Sequence, residues 1–160
     1  MEDLNAKVKN AGFKPSNEKS NGAYPTRYLD GGYFDKDGND RPALVLNGAE
    51  KIAEVIRVID VPHKKPKKMG TSQIRKFYDS LCNTVSDLDR HNITTEQAIY
   101  EVAQLKAYAS ASLTKENASL NFYKFIQDNV EAVRKAGTAE AVKAFKRHFE
   151  AVVCYYSEKK

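Results

Sequence analysis

The stretch TSQIRKFYDSLCNTVSDLDR, residues 71–90, decides the fold class of this chain. Its apolar side chains recur at spacings of three and four residues, which is the period of an α-helix with one buried face. Thr71 and Ser72 both belong to residue types that cap helix N-termini, and the apolar stripe runs on to Leu88. At 1.5 Å per residue, a helix over this stretch is roughly 30 Å long. The stripe consists of Ile74, Phe77, Tyr78, Leu81, Val85 and Leu88.

Helical patterns continue on both sides of this stretch. Before it, a helix is expected from Asn47, which caps it, until Pro62 ends it. After it come three more helices, the first of which opens with a capping box of Thr94 and Gln97 and the second of which stops at Gly137. No stretch after residue 46 shows the alternation of a strand. Five helices joined by short loops predict an all-α fold, a five-helix bundle.

Residues 1–45 differ from the rest in composition. Glycine and proline interrupt every periodic run, and Asn, Ser and Asp fill the gaps. The four aromatic side chains in residues 24–34 are too many for a solvated tail. We therefore expect a largely irregular, flexible N-terminal arm over residues 1–45 that a partner or the bundle orders, followed by a helical bundle domain over residues 46–160.

Composition excludes several classes of protein. No run approaches the roughly 18 apolar residues of a membrane span, and the acidic start, Met1-Glu-Asp-Leu, is unlike a secretory signal. We therefore expect a cytoplasmic protein without a membrane partner. The count of two cysteines rules out a disulfide framework and a cysteine-rich zinc site. Cys82 and Cys154 fall within apolar helical patterns and are expected to be small buried thiols.

The sequence carries no catalytic or metal-binding pattern. His63, His91 and His148 are spread along the chain, without a second ligand at helical spacing. The acidic stretch 35–40 lacks the glycine and the final glutamate of a calcium loop. We therefore expect no enzyme activity, no cofactor and no metal, and we expect His148 to lie partly exposed beside Arg147. A small helical nuclease is an alternative that would need carboxylates or histidines brought together by the fold.

The formal net charge of +5 is concentrated in one stretch. No carboxylate occurs between Val61 and Tyr78, and Pro66 prevents the residues around it from forming a helix. Four ammonium groups are therefore expected on a loop beside the N-terminus of the 71–90 helix, where backbone N–H groups attract anions. The basic side chains of the stretch are Lys64, Lys65, Lys67, Lys68, Arg75 and Lys76.

This concentration of charge favours a surface that docks the sugar–phosphate backbone of a nucleic acid rather than its bases. A solvated lysine linker that only keeps the protein in solution fits the pattern equally well. Arg75 has the further alternative of an ion pair with Asp79, one turn on. A second and weaker basic face is expected on the last helix, at Lys143, Lys146 and Arg147.

Five of the six tyrosines in the helical part invite the hypothesis of base stacking; the sixth, Tyr78, belongs to the apolar stripe of the 71–90 helix. Most of them fall on or beside the apolar stripes, so packing in the core or at an interface is the favoured interpretation. Tyr155 and Tyr156, near the C-terminus, are the two that are expected to be partly exposed. The others are Tyr100, Tyr108 and Tyr123.

Three segments resemble the small subunit of type III-A CRISPR effector (Csm) complexes. The stretch GTSQIRKF, residues 70–77, resembles the family's threonine-serine-x-hydrophobic-arginine motif after a lysine-rich loop, and LKAYA, residues 105–109, is similar to its leucine-lysine segment with a following tyrosine. AFKRHFEAVVCYY, residues 144–156, resembles the family's closing pattern. The likeness covers residues 65–160. Residues 111–113, with the sequence ASL, stand where family members often carry a glycine-arginine pair. The contact that this arginine makes with the RNA backbone is therefore either absent here or supplied by Lys115.

The resemblance implies a non-catalytic, all-helical subunit that binds guide RNA and target RNA in antiviral defence. Copies of the subunit would stack between the repeated backbone subunits and the large signalling subunit. Thr71, Ser72 and Arg75 match the family motif and take its RNA-binding role by position. The small subunits of the related Cmr complexes share this architecture and are one alternative. The other is a helical interaction module whose basic loop docks an acidic protein partner.

Overall fold

The computed structural model describes residues 23–157, and the predicted all-α fold is confirmed there. Residues 1–22 lie outside the described residues, so the division into an arm and a bundle domain stays a prediction. Within the described range, two short strands lie between the first two helices, and a 3-10 turn, Pro42–Leu44, precedes them. The elements are α1 (Asn47–Val55), β1 (Val58–Ile59), β2 (Lys67–Lys68), α2 (Thr71–Asp89), α3 (Thr95–Thr114), α4 (Leu120–Ala136) and α5 (Ala139–Ser157).

The boundaries of α3 and α4 follow the predicted local signals. The backbone N–H of Gln97 donates to Thr94 Oγ1 at 3.1 Å, and the backbone N–H of Thr94 donates to Gln97 Oε1 at 2.8 Å, so the predicted capping box is confirmed. Gly137 ends α4 with a φ of 68°, in the left-handed region that glycine adopts without a Cβ penalty. Thr138 then accepts a hydrogen bond from the N–H of Ala141 at 3.1 Å and caps α5.

The predicted caps of α1 and α2 are wrong. Leu46 and Gly70 occupy the two cap positions, and no side chain in residues 23–157 caps either helix. Asn47 is instead the first residue of α1, and Thr71 and Ser72 belong to the first turn of α2. Because the first N–H groups of a helix have no partner within the helix, the start of α2 keeps donors that can face a ligand.

The chain leaves α1 earlier than predicted and forms a β-hairpin. α1 ends at Val55, and β1 then pairs antiparallel with β2, with Val58 opposite Lys68 and Ile59 opposite Lys67. The predicted continuation of this helix to Pro62 is therefore wrong, and the two strands are too short to show an alternation in the sequence. Val58 and Ile59 are β-branched and the side chain of Ile59 is buried, so an extended pair suits them better than a further helical turn.

The core is centred on α5, which packs against both α1 and α2. Phe145 and Phe149 stack on its inner face with ring centroids 5.9 Å apart, and Phe125 of α4 meets Phe149 edge-on at 5.1 Å. Phe122 of α4 contacts Phe77 of α2 at 5.1 Å in the same geometry. These aromatic contacts hold α2, α4 and α5 in fixed positions and so give the start of α2 a rigid support.

Residues 23–45 pack onto the bundle and share its core. Tyr33 is buried and its hydroxyl donates to Asn129 Oδ1 of α4 at 2.7 Å. The hydroxyl of Tyr24 donates to Asp128 Oδ2 at 2.7 Å. Burial raises the pKa of both tyrosines well above its usual range. The sequence predicts that either a partner or the bundle orders the arm, and for residues 23–45 these contacts are with the bundle.

His148 is buried, so its predicted exposure beside Arg147 is wrong. Its Nδ1 lies 2.6 Å from the carbonyl oxygen of Leu44, and its Nε2 lies 2.7 Å from the hydroxyl of Tyr28. A carbonyl only accepts, so Nδ1 carries the hydrogen and Nε2 accepts from Tyr28. The histidine therefore fastens the N-terminal segment to α5 in its neutral form.

Neither cysteine is the buried thiol that the sequence predicts. Cys82 is half-buried and Cys154 is exposed. Each follows a buried residue, Leu81 and Val153 respectively, and one step along a helix turns a side chain by about 100° away from the core face.

Candidate nucleic-acid interface

Met69 fixes the lysine-bearing hairpin to the bundle. Its side chain is fully buried, its N–H donates to the carbonyl of Arg57 at 2.7 Å, and its carbonyl accepts from the hydroxyl of Tyr156 in α5. The preceding residues Lys67 and Lys68 form β2 and are exposed. The turn of the hairpin, residues 60–66, carries Lys64 and Lys65, which are also exposed. The four lysines thus stand on an anchored hairpin.

The hairpin runs directly into α2, because only Met69 and Gly70 separate β2 from it. Thr71 and Ser72 are exposed in the first turn, and Arg75 and Lys76 are exposed in the second. No ion pair of the described residues involves Arg75, so the alternative pairing with Asp79 is not formed. We call this surface the basic edge; it comprises Lys64, Lys65, Lys67, Lys68, Thr71, Ser72, Arg75 and Lys76.

An ion pair joins the hairpin to the loop between α3 and α4. Lys64 Nζ lies 3.5 Å from Glu116 Oε1. Glu116 adopts a φ of 64°, so the chain turns sharply there, directly after Lys115 at the end of α3. Lys115 is exposed and forms no ion pair within residues 23–157, so it extends the positive surface beyond the basic edge.

A groove of about 400 Å³ lies between α2 and α3, next to the basic edge. Phe77 and Leu105, which are almost fully buried, supply its apolar part. Gln73 Nε2 donates to Ser112 Oγ at 2.8 Å and supplies a polar part. The other principal lining residues are Lys76, Tyr108, Lys115 and Asn117.

The exposure of the tyrosines differs from the prediction. Tyr156 is only 2% exposed, so its predicted exposure is wrong, whereas Tyr155 is half-exposed as expected. Tyr100 and Tyr108 on α3 are 67% and 56% exposed and do not pack in the core. The sequence does not single out Tyr108 among the five candidates for base stacking, because the alanine-rich α3 has a poorly defined apolar face.

The second predicted basic face, on α5, is not brought to the basic edge. Lys143 Nζ lies 3.0 Å from Asp89 Oδ1, at the last residue of α2. Since α2 has 19 residues at 1.5 Å each, its two ends are roughly 28 Å apart. Arg147 makes two hydrogen bonds to Asp40, at 2.7 and 2.9 Å, which raise the pKa of its guanidinium group. Lys146 is half-buried.

In residues 23–157, no three His, Cys, Asp or Glu side chains are grouped so that they could hold a metal ion. Within the same range, no helix combines the length and apolar character that crossing a membrane requires.

A comparison with protein families matches most of the structure. The family model described as Csm2 Type III-A matches residues 43–160, which include all five helices, the basic edge and the groove. No curated protein and no solved structure gives a significant match. The family match selects the Csm type over the Cmr type, which the sequence patterns left open. The chain therefore belongs to the Csm2 family and is a small subunit of a type III-A CRISPR effector complex.

Proposed function

We propose that this chain binds the sugar–phosphate backbone of RNA through the basic edge, without sequence preference and without catalysing a reaction. Within the effector complex, the RNA would be guide RNA and target RNA, and the activity would serve antiviral defence. The observation that supports the proposal is the hairpin, which sets four exposed lysines directly before the uncapped start of α2. Lysines and backbone N–H groups together form a surface that suits phosphate groups.

The electrostatics of the basic edge lead to a measurable salt dependence. Each phosphate that a lysine neutralises releases counterions, which lowers the logarithm of the binding constant by roughly 0.7 per tenfold increase in salt on a single strand. The four hairpin lysines would therefore contribute roughly −3 to the slope, and contacts of Arg75 and Lys76 would make it steeper. Neither Thr71 nor Ser72 carries charge, so both would position the strand by hydrogen bonds without adding to this slope.

The face on α5 would contribute less to RNA binding than the basic edge. Lys143 and Arg147 already pair with Asp89 and Asp40, and an RNA phosphate would have to compete with these carboxylates. Lys146 is half-buried. We therefore propose these three residues as a secondary surface that supports a strand only after the basic edge has bound it.

Contacts with other proteins of the complex would use the exposed apolar side chains. Val45, Leu46 and Leu120 are 37%, 47% and 54% exposed, and such side chains are typical of interfaces when neighbouring subunits cover them. The proposed protein partners are the repeated backbone subunits, the large signalling subunit and further copies of this chain. The assembly would act in the cytoplasm.

The proposal is tested by neutralising the hairpin and measuring RNA binding. The variant replaces Lys64, Lys65, Lys67 and Lys68 with Gln in the full chain. We expect it to bind single-stranded oligouridylate and a mixed-sequence strand about a hundredfold more weakly at 0.1 M salt, with a salt slope shallower than that of the wild type by roughly 3, because Arg75 and Lys76 remain. The matched control neutralises four exposed cations elsewhere and should bind as the wild type; it replaces Lys36, Arg90, Arg134 and Lys135 with Gln.

Unchanged RNA binding by the hairpin variant would overturn the assignment of the basic edge. If the control variant lost RNA affinity to the same extent, the loss would come from the lower net charge of the protein and not from the basic edge. If only the association with an acidic protein were lost, the interaction-module alternative would take its place. RNA degradation that needs a divalent metal and survives purification would instead support a nuclease.

A further inference from the structure

The groove between α2 and α3 combines three kinds of surface. Phe77 and Leu105 supply apolar contacts, and Tyr108, which is 56% exposed, lines the groove with them. Gln73, bonded to Ser112 at 2.8 Å, keeps its side-chain oxygen and one amide hydrogen for other partners. The volume of the groove, about 400 Å³, lies within the range of small-molecule sites, roughly 300–1,000 Å³.

The charge around the groove is positive. Lys76 and Lys115 both line it, and neither forms an ion pair with a carboxylate of residues 23–157. Lys76 also belongs to the basic edge, so the groove opens beside the path that a bound RNA backbone would follow. A ligand suited to the groove therefore has a flat apolar face, polar edges and negative charge on both sides.

We propose that the groove receives one unstacked nucleobase of the single-stranded RNA held by the basic edge, with the base stacked on Tyr108 and the flanking phosphates beside Lys76 and Lys115. This inference rests on the proposed function. A nucleobase has the required flat face and polar edges, and unstacked bases of single strands commonly stack on aromatic side chains. The amide of Gln73 both donates and accepts, so the groove accepts different bases.

The uncompensated lysines favour RNA over an apolar segment of a protein partner. A protein segment that filled the apolar part of the groove would bring Lys76 and Lys115 into its interface, where each would need a carboxylate. The phosphates on either side of a nucleobase supply that negative charge without a further requirement.

The test separates the base from the backbone. The full chain is titrated with oligouridylate and with a strand of equal length whose bases are absent, and each titration is repeated with Tyr108→Ala. We expect the variant to bind oligouridylate roughly fivefold to a hundredfold more weakly and the abasic strand as the wild type does. Tyr108→Phe keeps the stacking surface and should restore binding.

The matched control is Tyr100→Ala, which removes a tyrosine of the same helix that is 67% exposed and does not line the groove. It should leave both titrations unchanged, and thermal unfolding should show that both alanine variants fold.

If Tyr108→Ala weakens the binding of both strands equally, or of neither, the nucleobase site is overturned while the basic edge stands. If it weakens only the association with other subunits, the groove is a protein contact. If the full chain binds no RNA either alone or in the assembled complex, the proposed function and the nucleobase site are both overturned.

Discussion

The ammonium group of Lys64 lies 3.5 Å from the carboxylate of Glu116, across the gap between the hairpin and the loop after α3. The two side chains are 67% and 43% exposed, so water screens the pair and it contributes no more than about 1 kcal/mol to stability. Its importance is its position, because it places a negative charge between the basic edge and Lys115. An RNA phosphate near Lys64 would have to displace or tolerate that carboxylate.

Replacing Glu116 with Gln should therefore strengthen RNA binding. The change removes one negative charge from the surface and makes Lys64 available to a phosphate, so we expect affinity for oligouridylate to rise about fivefold at 0.1 M salt. The free energy of unfolding should change by less than about 1 kcal/mol. Titrations of the wild type, of Glu116→Gln and of the distant control Glu140→Gln check this. Unchanged or weaker binding by Glu116→Gln would mean that Lys64 does not meet the RNA.

Tyr156→Phe should loosen the hairpin. The tyrosine hydroxyl donates to the carbonyl of Met69, and its removal leaves that acceptor without this donor beside a fully buried side chain. We expect a loss of about 1 kcal/mol in the free energy of unfolding and faster hydrogen exchange of the Met69 amide, which donates to the carbonyl of Arg57. Tyr155→Phe, at a half-exposed neighbouring position, is the control. Exchange at the wild-type rate in Tyr156→Phe would show that the hairpin is held by other contacts.

Tyr33→Phe should weaken the attachment of the N-terminal segment. The hydroxyl of Tyr33 is buried and donates to Asn129 Oδ1 at 2.7 Å, so its removal leaves a buried acceptor without this donor. We expect a loss of about 1–3 kcal/mol in the free energy of unfolding, measured by chemical denaturation. The exposed Tyr100→Phe is expected to unfold as the wild type does. Equal stability of the two variants would contradict the role given to this hydrogen bond.

Stability should fall in mild acid because of His148. Its pKa is lowered from 6.5 to about 4, mainly because the side chain is buried; the hydrogen bond to the carbonyl of Leu44 and the charge of Asp40 oppose this shift, and the charge of Arg41 adds to it. Between pH 6.5 and pH 4 the unfolded chain protonates this histidine and the native state does not. The unfolded state therefore binds more protons, and the free energy of unfolding falls as pH falls, by about 3 kcal/mol in total over this window.

Denaturation curves at several pH values between 7 and 4 measure this loss. His148→Gln, which cannot titrate, should be less stable at pH 7 but should lose less stability on acidification. His91→Gln, at an exposed position, should keep the wild-type slope. A wild-type slope in His148→Gln would assign the acid sensitivity to other groups.

The longer helices could be predicted from sequence because each repeats its period many times. α2 spans 19 residues, Thr71–Asp89, and its C-terminal end differs from that of the predicted helix over residues 71–90 by one residue. The hairpin could not be predicted in this way, since a strand of two residues shows no alternation. The hairpin is held by the pairing of Ile59 with Lys67 and by the hydrogen bond from the Met69 N–H to the carbonyl of Arg57. No local sequence pattern predicts these contacts.

The candidate site was predictable in part. Charge and proline placement located the lysines before α2, and the structure shows them exposed. The ion pair of Arg147 with Asp40 joins residues 107 positions apart, so no local pattern indicates that this cation is already paired with a carboxylate. Tyr108 was one of five candidates for base stacking, but its position beside Lys76 depends on how α2 and α3 pack, which the sequence does not show.

The most direct test of the RNA-binding surface is to purify the effector complex through this chain, crosslink it with ultraviolet light and identify the peptides joined to RNA. We predict that guide RNA is recovered with the other subunits, and that crosslinks fall within residues 64–76 and at Tyr108. Crosslinks confined to α5 between Lys143 and Arg147, or a complex in which no RNA joins this chain, would contradict the basic edge as the RNA-binding surface.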